Sequence, residues 1–89
     1  MFQAVELEII ACDRVVFSAE VESISTRTPE GWLGILPHHA PAAFALGDAP
    51  LRIRTAEGER SFRVKNGIVQ VSPMKVAILV DEIEEEHAP

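Results

Sequence analysis

Residues 51–80 read LRIRTAEGERSFRVKNGIVQVSPMKVAILV, and their alternation decides the fold. Successive side chains of an extended chain point to opposite sides, so Leu51, Ile53 and Thr55 share one face while Arg52 and Arg54 share the other. Glu57-Gly58 marks a hairpin turn, after which Phe62 and Val64 alternate with Arg63 and Lys65. Asn66-Gly67 is a further turn or bulge signal before Ile68-Val69-Gln70-Val71, and Pro73-Met74 makes a tight connection into Val76-Ala77-Ile78-Leu79-Val80. That last strand is apolar on both faces, which suits a central place in a sheet.

The same reading extends towards the amino terminus. Val5, Leu7 and Ile9 alternate with Glu6 and Glu8, a half-buried strand with its acids in water. Cys12-Asp13-Arg14 reads as a turn into Val15-Val16-Phe17, and residues 19–28 (AEVESISTRT) form an extended ribbon rich in Ser, Thr and Val. Residues 40–46 (APAAFAL) are bracketed by Pro41 and Gly47 and are too short for a stable helix, so they read as a loop or short strand. Strands at this spacing with turn residues between them predict an all-β sandwich or barrel. Residues 1–81 make one domain, and 82–89 (EIEEEHAP) read as an acidic, frayed tail.

Composition narrows the function. Eight basic against fourteen acidic residues in 89 give a net charge of −6, which repels phosphate backbones and argues against a nucleic-acid partner. No apolar run approaches the roughly 18–20 residues of a membrane span, and the start does not read as a signal peptide, so no membrane insertion is expected. The single cysteine, Cys12, excludes an internal disulfide and a Cys-based zinc cage, fits a reducing compartment, and reads as a small half-buried residue near a turn. There is no phosphate-cradling glycine loop, nucleophile elbow or HExxH motif, and no catalytic group, metal site or cofactor is expected. His38 and His39, as neighbours in an extended chain, point apart and cannot easily share a metal. Glu84-Glu85-Glu86-His87 is a solvated charge run.

One stretch is unusual: residues 31–41, GWLGILPHHAP. Gly31 and Gly34 permit positive φ or close backbone approach, and Pro37 and Pro41 each fix φ near −65°. Two readings follow. The stretch is a tight corner inside a β-sandwich, or a rigid protruding loop built for a partner, with Trp32 and His38 as anchors.

GWLGILPHHAP resembles the G-x-x-G-I-L-P-x-H-A-P signature of the epsilon subunit of F-type ATP synthases (delta in mitochondria). Leu7-Glu8-Ile9-Ile10 followed by residues 15–24 (VVFSAEVESI) is similar to the family's opening pattern, Pro50 to Thr55 to its middle strand, and the Phe62-to-Leu79 alternation to its closing hairpins. The resemblance covers about residues 5–81 in order. It implies a single flattened antiparallel β-sandwich of about ten strands without a helical hairpin. It implies a rotor subunit with no catalysis or nucleotide site of its own, clamping the gamma subunit and resting on the polar loops of the c-ring. Its place would be the cytoplasmic face of the bacterial inner membrane, as a peripheral subunit that is a monomer when isolated.

Carried over by position, Glu30, Gly31, Trp32, Gly34, His38 and His39 form the contact loop for the c-ring and gamma, while Ala11, Pro41 and Phe44 are gamma-facing. Trp32 stands where the family usually has an acid, so Glu30 supplies the charge and Trp32 apolar area. Flanked by glycine and a short strand, Trp32 should be exposed. Asn66-Gly67 replaces the family's common Gly-Gly, and Asn tolerates the left-handed conformation. Residues 82–89 are too short for a stable helix, so inhibition by helix insertion is not expected. A free-standing β-sandwich module for a small ligand or peptide is the alternative, and would need a concave apolar pocket with convergent polar groups.

Overall fold

A computed structural model describes residues 4–28, 30–35 and 41–86. Eight strands are formed: β1 (Val5–Ala11), β2 (Arg14–Val21), β3 (Ser23–Thr28), β4 (Gly31–Ile35), β5 (Ala42–Leu46), β6 (Ala49–Thr55), β7 (Gly58–Val71) and β8 (Lys75–Glu86). They join in one hydrogen-bonded sheet of order β2-β1-β8-β7-β6-β3-β4, with β5 also paired to β7. The described residues contain no helix.

The long β7–β8 hairpin is the spine. The first part of β7 pairs with β6 (Ala49↔Val64 to Thr55↔Gly58), and the last part with β5 (Ala42↔Val71 to Leu46↔Gly67). The first half of β8 also pairs with β1 (Glu6↔Lys75 to Ala11↔Val80). The sheet therefore has two halves, β2-β1-β8-β7-β5 and β8-β7-β6-β3-β4, which fold over and share one core. Leu7, Ile9, Ile24, Ile35, Leu51, Ile53, Val64, Val69, Val76 and Ile78 are buried in it, with Phe17, Phe44 and Ile83 packed against its margin. Phe17 of β2 meets Phe62 of β7 edge to face at 5.6 Å between ring centroids, joining the halves at one end. The all-β sandwich read from the alternation is the observed fold.

Four details depart from expectation. Asn66-Gly67 does not separate two strands: β7 runs through it, bent by the left-handed Asn66 (φ 47°). A Cβ on Gly67 would lie 2.5 Å from the Leu79 carbonyl oxygen and 2.8 Å from Val80 Cγ1, so the bend brings backbone against backbone and admits only glycine. Eight strands are described, and β7 and β8 are each long enough to serve both halves of the sheet. Residues 82–86 are no tail. They continue β8 against Ser61–Lys65, with Ile83 opposite Val64 and turned to the core. The β1–β8 pair is parallel in an otherwise antiparallel sheet. Cys12 is exposed, in a turn where it and Asp13 both hold positive φ (50° and 68°).

Glu22, between β2 and β3, carries the chain from one half to the other, its N–H donating to the Arg54 carbonyl at 2.7 Å. The β3–β4 and β6–β7 turns share a sequence, Thr28-Pro29-Glu30-Gly31 and Thr55-Ala56-Glu57-Gly58. In each the threonine hydroxyl accepts from the glutamate N–H (3.3 and 3.2 Å) and donates to the glycine carbonyl (2.9 and 2.9 Å). Gly31 and Gly58 hold φ of 123° and 133°, which a side chain would disfavour.

Candidate interaction surfaces

The signature strand β4 turns Ile35 into the core and Leu33 partly so, leaving Trp32 and Gly34 on the outer face. Trp32 is 51% exposed, in line with the expectation from its flanks. The guanidinium of Arg52, on β6, lies 4.8 Å above the Trp32 ring, a cation–π stack across β3. Small residues make this possible, since Ser25 and Gly34 lie between the two long side chains. Glu30 is exposed on the turn. On the other side of Trp32, a hollow of about 370 Å³ is lined by Thr28, Glu30, Gly31, Trp32, Leu33, Phe44 and Ala45.

The fold thus brings Glu30, Gly31, Trp32 and Phe44 together. Pro41 is exposed just before β5. His38 and His39 lie outside the described residues. Ala11 stands apart: it is buried, pairs with Val80, and has β8 and β7 between it and β5. The register sets it level with Leu46, at the end of β5 away from Pro41.

A second surface was not singled out by sequence reasoning. On the outer face of the β2-β1-β8-β7-β5 half, Val15 pairs with Ile10, Ile10 with Leu79, Leu79 with Ile68, and Ile68 with Ala45. These cross-strand neighbours form one apolar row over five strands, with Val15 at 51%, Leu79 at 41% and Ile68 at 50% exposure. A register shift between Ile9 and Ile10 builds it: Val16 is left over as a bulge, so Val15 comes opposite Ile10 while Phe17 stays opposite Ile9 at the core. Ala45 ends the row and also lines the Trp32 hollow, so the apolar path continues to Leu33 and Phe44. An exposed patch of this continuity marks an interaction site. The available sequence signal was the double-faced apolar character of Val76–Val80, which a central strand explains equally well.

The outer face of the other half is basic. Arg27, Arg52, Arg54, Arg63 and Lys65 occupy alternate outward positions on β3, β6 and β7. At its centre a hollow of about 440 Å³ has a floor of Ser23, Ser25 and Gly34 and walls of Trp32, Arg52, Arg54 and Glu59. At the clasp end, Arg60 makes a bidentate pair with Glu85 (2.8 and 2.7 Å) and lies over Phe17 and Phe62 at 4.9 and 5.4 Å. The hydrogen bond from Glu85 raises the Arg60 pKa above the ordinary guanidinium range, burial opposing it and the Glu85 charge adding to it. Among the described residues no group of three or more His, Cys, Asp and Glu side chains could hold a metal, and no helix is long and apolar enough to cross a membrane.

Residues 4–86 match the family profile described as ATP synthase, delta/epsilon chain, β-sandwich domain. The ATP synthase epsilon chain of Chloroflexus aurantiacus is 42% identical over 81 residues, covering 90% of this chain and 58% of that one. The epsilon chain of Dehalococcoides mccartyi is 38% identical over 79 residues, covering 89% and 56%. The chain therefore spans a little over half the length of these curated relatives. Among solved structures, a chain of the Euglena gracilis mitochondrial ATP synthase (OSCP/F1/c-ring) superposes with a TM-score of 0.83 at 22% identity, covering 96% of this chain and 56% of that one. A chain of the Tetrahymena thermophila mitochondrial ATP synthase central stalk and c-ring gives 0.75 at 22%, covering 93% and 67%.

Proposed function

The chain belongs to the ATP synthase delta/epsilon family through its β-sandwich domain, and on that premise we propose that it is a non-catalytic central-stalk component that seats on the gamma subunit and links it to the c-ring. The observation that carries the reading is the apolar row Val15–Ile10–Leu79–Ile68–Ala45 with its continuation to Leu33 and Phe44. A rotor part must transmit torque without doing chemistry. That calls for a stiff body with a broad apolar seat, and a sheet folded over one core supplies both. Gamma takes the row. The β3–β4 turn with Glu30 and Trp32 faces the c-ring loops. In a bacterium this places the chain on the cytoplasmic face of the inner membrane, held there by its partners.

The test is co-purification of the chain with gamma, beside the double variant Ile68→Glu, Leu79→Glu. Both side chains already face water, but the two carboxylates would stand opposite each other in the sheet, so a modest fall in thermal midpoint is expected and affinity is compared at a temperature where both chains are folded. Desolvating two carboxylates against an apolar partner should weaken the complex by at least about tenfold. Unchanged affinity of the variant would overturn the row as the seat. A wild-type chain that does not bind gamma at micromolar concentration would overturn the stalk reading. The same reading gives this chain no nucleotide site, and saturable ATP binding to the isolated chain would overturn that part.

A further inference from the structure

We infer that the hollow beside Trp32 on the basic face is a binding site for a short acidic peptide segment, one that places a carboxylate against Arg52 and Arg54 and an apolar neighbour over Trp32. The charged hollow lies on the half of the sandwich that does not carry the apolar row, while its Trp32 wall also borders the Leu33–Phe44–Ala45 hollow given above to the stalk partners, so a peptide seated across the ring competes with them at that edge.

The chemistry is on the walls. Arg52 is held flat over the Trp32 ring at 4.8 Å, which fixes the plane of its donors before any ligand arrives. No described residue accepts a hydrogen bond from it, and it makes no ion pair among them. Among the described residues Arg54 pairs with Glu59 alone, at 3.6 Å between side chains 63% and 52% exposed, a contact weak enough to exchange for a better one. Ser23 and Ser25 line the floor. Two guanidinium groups border about 440 Å³ whose lining also includes Ser23, Ser25 and the Glu59 carboxylate, and a planar carboxylate fits the guanidinium fork in bidentate fashion once Arg54 exchanges Glu59 for it. Trp32 separates this hollow from the more apolar one lined by Leu33, Phe44 and Ala45. A ligand spanning the ring would therefore set an anion on one side and an apolar group on the other.

Charge complementarity limits what that ligand is. The basic residues are bounded on the same face by Glu82 and Glu84, opposite Lys65 and Arg63, and by Glu59. A long polyanion such as nucleic acid would run over these acids, and the net charge of −6 adds to its repulsion. A segment with one or two carboxylates avoids them.

Trp32 is the only tryptophan and the chain has no tyrosine, so intrinsic emission reports on this site alone. The probe is the blocked peptide acetyl-Gly-Glu-Leu-Glu-Gly-amide, titrated into the full chain at low salt, with titration calorimetry in parallel. Expected are a saturable change in Trp32 emission and roughly tenfold weaker binding for the Gln-for-Glu peptide, for Arg52→Gln and for Arg54→Gln, each variant keeping its wild-type far-ultraviolet spectrum. Raising the salt to about 0.5 M should weaken binding strongly, since these charges are exposed. The inference is overturned if neither emission nor heat changes. It is equally overturned if the Gln peptide binds as well as the Glu peptide, or if inorganic phosphate competes at the peptide's own concentration, which would mark a bare-anion contact.

Discussion

On one outer face of the sandwich an apolar row crosses five strands, with the exposed pairs of Lys75 to Glu6 and Glu8 beside it. On the other, the equivalent positions are arginine, lysine and serine around a single tryptophan. The inner faces behind both are alike, aliphatic and buried. The halves thus differ only in what they turn outward, although they share β7, β8 and the backbone between them. Stability is a property of the common inner layer and recognition of the two separate outer ones. Substitutions should therefore sort into changes that lower stability and leave the contrast intact, and changes that erase one face with little effect on folding.

The largest effect is expected where the halves join. Gly67→Ala puts a Cβ into the Leu79 carbonyl at the bend of β7, where both neighbours are backbone or buried side chain. An overpacked position of this kind costs about 1–3 kcal/mol, or roughly 5–20 °C in thermal midpoint for a domain of this size. Both surfaces should weaken together, since the bend positions both. A variant with the wild-type midpoint would show that the bend is soft and that the halves are not rigidly coupled.

How far the fold could be read follows from the same division. Alternation in β1, β6 and the first part of β7 gave Leu7, Ile9, Leu51, Ile53, Phe62 and Val64 their inward sense, and all are buried. Local pattern suffices where one face is wet and polar. It fails where both faces are apolar, as in Val76–Val80, because only the long-range register shows that Leu79 shares a row with Ile10 and Ile68. It fails again at residues 82–86. There Glu85 occupies an inward position, and the acids conceal a strand whose register is legible only through Arg60, 25 residues earlier. The motif at 31–41 was visible as a motif, but the arginine stacked on Trp32 comes from another strand.

That arginine clasp carries the next prediction. Arg60→Gln removes the bidentate pair with Glu85 and the stack on Phe17 and Phe62, which close the end of the core where the halves meet. The pair is substantially exposed (45% and 30%), so the cost is set by exposed ion pairs, about 0.5–1 kcal/mol. Because the folded state raises the Arg60 pKa, the contribution is fully present at every pH below the guanidinium range and is lost only as pH climbs through it. On the arginine side the wild-type minus variant difference should therefore be flat through neutral pH and shrink in high salt. Chemical denaturation at several salt concentrations checks this, and a difference that grows with salt would mean that Arg60 acts by apolar packing alone.

The smallest effect on folding belongs to Trp32→Ala. Trp32 exposes about half its surface, and among the described residues its ring partner is Arg52. A cation–π contact at an exposed site contributes about 0.5–1 kcal/mol, and the freed arginine regains hydration. The midpoint should then stay within about 3 °C of wild type. Binding should respond differently. The indole is a wall of both hollows, so its loss should abolish capture of the acidic peptide and weaken assembly with the stalk partners at the β3–β4 turn. Affinity for gamma through the apolar row should suffer less than in the Ile68→Glu, Leu79→Glu variant, because the row meets the tryptophan hollow only at Ala45. Calorimetry replaces fluorescence here, since the variant has no reporter. A large fall in midpoint would make Trp32 part of the folding core, and the contrast between the two faces would then be one of stability as well as of recognition.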